Sequence, residues 1–217
     1  MIHYLPGCDV RKNHPEAITA LQNYLEQQGV VIDKCCRVKE KFLQEGDIII
    51  NNCTLCSIIL KETHPNNLSM SLYEYLLSDD NFPWVDHHQE KITIQDCLRT
   101  KDDKKMLDAI RMCLNKMNYQ VVEIADNYEK SEFCGVWRYN RPAQDCFEVA
   151  NKTFNEIEKK YIQLLPEDKQ IEKMQKRVKQ YPTENVLVYC NGCERGLKLG
   201  GKQPIHLVEL LAKGLME

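Results

Sequence analysis

No stretch of the chain approaches the roughly 20 apolar residues that a membrane-spanning helix requires. Nor is there a long Lys/Arg run. The formal net charge is -3, and phosphate binding needs a basic face, so nucleic acid is not an expected partner. The opening MIHYLPGC has neither the basic n-region nor the apolar h-region of a signal peptide, so the expected location is cytoplasmic. Stable disulfides are rare in that compartment, and the sequons at Asn52, Asn67 and Asn151 carry no glycan there. Against these absences stand 11 cysteines in 217 residues. A chain of that length makes one or two domains and buries a sizeable core without covalent staples. A cysteine-rich chain in a reducing compartment therefore points to metal ligation or thiol chemistry.

The chain repeats itself. IHYLPGCDV, then the helical stretch AITALQNYLEQQGVVI, then CCRV is echoed by ITIQDCLRT, LDAIRMCLNKMNYQVVEI and FCGV. Gly29 and Asn118 fall at matching helix ends, and both residue types tolerate a left-handed C-terminal cap. GDIIINNCTLC and ENVLVYCNGC each read as a buried strand ending in C-x2-C. Short helices, SLYEYLLSD and IHLVELLAKG, follow later. Two units are expected, residues 1–88 and 89–217, bridged by FPWVDHHQE. Only 16 residues separate Cys36 from Cys53, but 55 separate Cys134 from Cys190. That extra length is helical by pattern: Phe147, Ala150, Phe154, Ile157 and Tyr161 recur at helical spacing, as do Ile171, Met174 and Val178 before Pro182. The fold class is α/β: two tandem, pseudo-repeated, Rossmann-like layers with mainly parallel sheets. Ligand sites in such sheets gather at the carboxyl ends of strands. Cys8, Cys53, Cys97 and Cys190 fall there, so residues far apart in sequence converge.

The first unit reads C-x26-C-C-x16-C-x2-C, through Cys8, Cys35, Cys36, Cys53 and Cys56. The second supplies Cys97, Cys134, Cys190 and Cys193, with Phe133 just before Cys134. Thiolate is the ligand that iron–sulfur clusters demand. The side chains of adjacent cysteines diverge and suit two irons better than one small ion. The C-x2-C pairs are too far apart in sequence for a compact zinc ribbon. A vicinal disulfide between Cys35 and Cys36, or a set of buried structural thiols, is the competing account. YLPGC, CCRV, the C-x2-C after an apolar strand and the ending PIHLVELLAKG together carry a family likeness. They resemble the cysteine-rich CCG domain of the heterodisulfide reductase family, over nearly the whole chain.

That resemblance implies two tandem CCG domains. It implies a noncubane [4Fe-4S] cluster on the five cysteines of the first unit, reductive cleavage of a disulfide, and a ferredoxin or flavoprotein as electron donor. In the second unit Phe133 replaces the first paired cysteine, while Gly135 keeps the family's glycine. Four thiolates remain there, for a [4Fe-4S] cluster, a [2Fe-2S] cluster, zinc or nothing. The alternatives for the whole chain are an electron-transfer subunit of a flavin-containing complex and a zinc-binding protein.

Arg99, Trp137, Arg138 and Arg141 stand near Cys97 and Cys134 in sequence. Cations there would raise a cluster's reduction potential or hold an anionic substrate, unless they are simple surface residues. Cys113 and Cys146 sit on apolar helix faces and read as core filling. His87 and His88 read as a solvated linker, and His206 as a capping or packing residue. Gly196 to Lys202 spells G-x4-G-K, but Gln203 stands where a phosphate loop needs Ser or Thr, which excludes that motif.

Overall fold

The computed structural model describes residues 1–33, 36 and 43–216. Its first half runs β1 (Ile2–Leu5), α1 (Cys8–Asn13), α2 (Pro15–Gln27), β2 (Val31–Ile32), β3 (Ile48–Asn51), α3 (Thr54–Thr63), β4 (Leu68–Ser71) and α4 (Leu72–Leu77). The second runs β5 (Lys91–Ile94), α5 (Lys104–Lys116), β6 (Gln120–Val122), α6 (Gln144–Val149), α7 (Asn151–Tyr161), α8 (Glu167–Val178), β7 (Asn185–Val188), α9 (Asn191–Leu199), β8 (Ile205–His206) and α10 (Leu207–Met216). Two four-stranded sheets result, ordered β2-β1-β3-β4 and β6-β5-β7-β8. Every strand pair is parallel. The α/β class with duplicated parallel layers is therefore observed.

The central strands show why. In β1, β3, β5 and β7 the first residue reaches the surface and the next three are buried. Burial on both faces is the mark of a parallel sheet covered by helices. β2, β6 and β8 are edges of two or three residues, too short to recruit another chain. Two edge strands escape a reading by pattern: β4 is the polar LSMS, and β8 is only Ile-His.

Helices α2 and α5 end alike. Gly29 and Asn118 adopt positive φ of 78° and 56°. In each case the next residue's N–H reaches back to a carbonyl five positions earlier, Val30 to Leu25 at 3.1 Å and Tyr119 to Leu114 at 3.0 Å. These are paired Schellman caps, which turn the chain into the edge strands. The long helical pattern of the insertion splits at Ala150 (φ -135°) into α6 and α7. At the start of α7 the Glu62 carboxylate accepts from the N–H groups of Lys152 and Thr153, at 3.2 and 2.8 Å.

The chain forms two compact units. One holds Met1–Val85, Ala143–Glu156 and Val208–Glu217; the other holds Asp86–Pro142 and Ile157–Leu207. Helices α6 and α10 thus belong to the unit of the first sheet despite their place in the sequence. Among the described residues, no helix is long and apolar enough to cross a membrane.

In the first unit, α4 opens with a reciprocal capping box. Ser71 Oγ accepts from the Glu74 N–H and the Glu74 carboxylate accepts from the Ser71 N–H. Ser71→Ala should lower unfolding stability by about 1 kcal/mol in urea titration. Ser71→Asp, which keeps an acceptor, should retain most of it.

Candidate metal centre

In both sheets the chain order reverses between the two central strands, β1/β3 and β5/β7. This is the crevice where open α/β sheets place ligands. Cys8 and Cys97 each follow a central strand, at the third residue past β1 and β5. Cys53 and Cys190 stand at the second residue past β3 and β7 and occupy the N-cap positions of α3 and α9. Cys56 and Cys193 lie in the first turns of those helices. Thiols at a helix N-terminus face its positive dipole end, which favours thiolate.

In the second unit these pieces close. The Sγ atoms of Cys97, Cys134, Cys190 and Cys193 all lie within 4.8 Å of one another, and all four residues are buried. Cys97 and Cys134 are 3.4 Å apart. Cys134 arrives on a turn after β6, held by the Leu98 N–H bond to the Phe133 carbonyl, 2.8 Å. The close approach of that turn to α9 depends on glycine. Gly135 has φ +51°, and a Cβ there would overlap the Gly192 carbonyl oxygen and lie 2.7 Å from its carbon. A Cβ on Gly196 would sit 2.5 Å from Gly135 Cα.

Arg99 Nη2 donates to Cys190 Sγ at 2.8 Å, and its guanidinium lies 4.6 Å from the Trp137 ring centroid. Hydrogen bonds from Cys134, then from Cys193 and Cys97, hold Cys190 well below the ordinary thiol pKa, and Arg99 adds its charge. Burial, first, pushes Cys97 and Cys193 up. Cys190 is thus the sulfur most readily ionised, and metal uptake by the remaining thiols would release protons. Both ends of the Asn191 carboxamide are buried with no hydrogen-bond partner among the described residues. Four convergent sulfurs, a guanidinium on one of them and an unanswered amide fit a metal or cluster here.

A buried network fixes Cys97. Its N–H donates to Tyr189 Oη at 3.0 Å, and that hydroxyl donates to Asp96 Oδ1 at 3.0 Å. Thr100 Oγ1 lies 2.9 Å from the same hydroxyl. Asp96 is held by both terminal nitrogens of Arg111, at 3.2 and 2.7 Å. Burial alone would weaken the charge on Arg111, but Asp96 and Glu123 push its pKa up. None of Asp96, Arg111 and Tyr189 stands out in the sequence. The only local signal is that Asp96 and Tyr189 immediately precede cysteines.

Phe133, at the place of the missing cysteine, lies under the Arg177 guanidinium, 5.2 Å from its ring centroid. Of the cations near the motif, Arg99 reaches a sulfur, whereas Arg138 pairs with Glu132 at 3.0 Å and Arg141 with Glu158 at 2.8 Å. Cys113 and Cys146 are buried on α5 and α6, as their helical positions suggested.

In the first unit Cys35 lies outside the described residues. Cys36 Sγ donates to Cys56 Sγ at 3.1 Å. Hydrogen bonds to Cys36, then Cys53, together with burial, push the Cys56 thiol well up. Cys8 and Cys53 are half-buried, unlike any of the four in the second unit.

Fold and site together define a class: a duplicated parallel α/β protein with a buried tetracysteine group that could hold a metal or cluster. No family model, curated protein or solved structure matches the chain.

Proposed function

We propose that the chain is an iron–sulfur redox protein of the kind that carries CCG domains in heterodisulfide reductases. The first-unit cysteines, Cys8, Cys35, Cys36, Cys53 and Cys56, would hold the working [4Fe-4S] cluster, noncubane as in that family. Cys97, Cys134, Cys190 and Cys193 would hold a second centre. The observation that carries this reading is the convergence of four thiols from three separate stretches of chain at a topological switch point. Such a centre, when bound, supplies single electrons at low potential. Reduction of one disulfide consumes two electrons and two protons and yields two thiols. A ferredoxin or a flavoprotein is the class of donor that would supply those electrons. The chain's own part is to hold the sulfurs, to set their charge through Arg99 and to bury the second centre from water.

A second reading rests on one distance. For metal–sulfur bonds of about 2.3 Å, a tetrahedral ion places its sulfurs about 3.8 Å apart. The 4.8 Å limit of the second cage suits a single ion, zinc or iron, whereas a cluster that gives each thiolate its own iron needs a wider set. Anaerobic purification with iron, zinc and sulfide counting and electron paramagnetic resonance separates the two. The redox reading expects brown protein with acid-labile sulfide. Cys190→Ser should abolish or shift the second signal and leave the first, while Cys113→Ser should change neither. Colourless protein with one zinc per chain would sink the redox reading.

A further inference from the structure

The residue directly before the C-x2-C pair differs between the units in one respect. In the second unit it is Tyr189, whose hydroxyl is fully engaged by Cys97, Asp96 and Thr100. In the first it is Asn52, fully buried, with neither end of its carboxamide bonded among the described residues. Its neighbour Asn51 is satisfied, accepting from Ser57 at 2.7 Å and donating to Ser69 at 3.3 Å.

Tyr4 repeats the anomaly. It is fully buried, and its hydroxyl has no partner among the described residues. Tyr4 pairs laterally with Ile50, two residues before Asn52. Tyr4 lies within electrostatic reach of Cys56. Asn52 lies against the turn that carries Cys8: a Cβ on Gly7 would fall 3.5 Å from Asn52 Oδ1 and 2.7 Å from Cys53 Cβ. Asn52 thus stands beside the turn of Cys8 and next to Cys53, both half-buried, and Tyr4 stands near the buried Cys56. Leaving a buried donor unanswered is strongly unfavourable, and neither has a partner among the described residues, so both point to a bound group.

We infer that Tyr4 Oη and Asn52 Nδ2 form a hydrogen-bonding subsite for a sulfur anion at the first centre. The anion is either the centre's own inorganic sulfide or the thiolate of an external small molecule. The inference rests on the proposed iron–sulfur reading and adds to it the residues that recognise sulfur.

Tyr4→Phe and Asn52→Leu test it. Each removes the orphaned polar atoms with little change in volume, so the metal-free variants should melt at the wild-type temperature or above. A merely structural role predicts nothing more. The full chain, reconstituted anaerobically with iron and sulfide, is titrated with 2-mercaptoethanol and followed by electron paramagnetic resonance. If the partner is an external thiolate, each variant should bind the thiol about tenfold more weakly, with an unchanged thiol-free spectrum. If it is inorganic sulfide, the thiol-free reduction potential of the first signal should fall, because a donor to sulfur stabilises the reduced state. Variants with wild-type iron, potential and thiol affinity overturn the inference alone. Wild-type protein that takes up neither iron nor sulfide overturns it together with the redox reading. Should Asn52→Leu not fold, Tyr4→Phe decides by the same readouts.

Discussion

Gly135→Ala should abolish metal binding at the second centre and destabilise its unit by about 4 kcal/mol or more, at the extreme of single substitutions. The methyl group cannot be accommodated by a rotamer change, because what it meets is backbone: the carbonyl of Gly192 and, at 3.0 Å, Cys193 Cα. Relief requires the Cys134 turn and the first turn of α9 to part, and those two segments carry three of the four sulfurs. Gly29→Ala is the control. Gly29 also has positive φ, +78°, but a Cβ there meets nothing within 4 Å. It should lose only the left-handed penalty, about 1–2 kcal/mol, and leave metal content unchanged. Thermal melts and metal counts on both variants separate backbone strain from the collision. Equal losses at the two positions would mean that the close approach of the turn to α9 is not what builds the cage.

The glycine at this point could be read in the sequence only as a resemblance to a motif; its physical reason is a contact 57 residues away in the chain. The same divide runs through the whole molecule. Strand pattern and helix caps are local, so β1, β3, β5 and β7 and the caps at Gly29 and Asn118 were legible. So was the placement of cysteines at strand ends, because the short apolar run of a strand buried on both faces marks where it stops. β4 and β8 were not legible, since a polar edge strand and a two-residue strand owe their existence to the neighbour they pair with. The break at Ala150 has no Gly or Pro to announce it, and the carboxylate that caps α7 is Glu62, 90 residues away from Lys152. Among the cations near the second motif, sequence could not rank Arg99 above Arg138 or Arg141. Which of them meets a sulfur and which meets a carboxylate is decided by Glu132 and Glu158.

Arg111→Met should lower the unfolding free energy of the chain by about 3–5 kcal/mol, the range for breaking a buried ion pair by removing one partner. Asp96 is fully buried, and it would keep only the Tyr128 N–H at 2.8 Å and the Tyr189 hydroxyl at 3.0 Å. Replacing both partners, as Asp96→Leu with Arg111→Met, removes the stranded charge and should recover part of the loss, as buried pairs replaced by apolar residues commonly do. A urea-unfolding cycle over the two single variants and the double variant isolates the coupling. The consequence for the centre runs the other way. Asp96 orients the Tyr189 hydroxyl that accepts the Cys97 N–H, so the double variant should be more stable than Arg111→Met and still bind metal less tightly than wild type. Outer-shell partners of this kind are worth about 10–100-fold in metal affinity. If the double variant regains stability and metal affinity together, the network serves packing alone. If it regains only stability, the Arg111–Asp96–Tyr189 chain is what holds Cys97 at the position the other three sulfurs require.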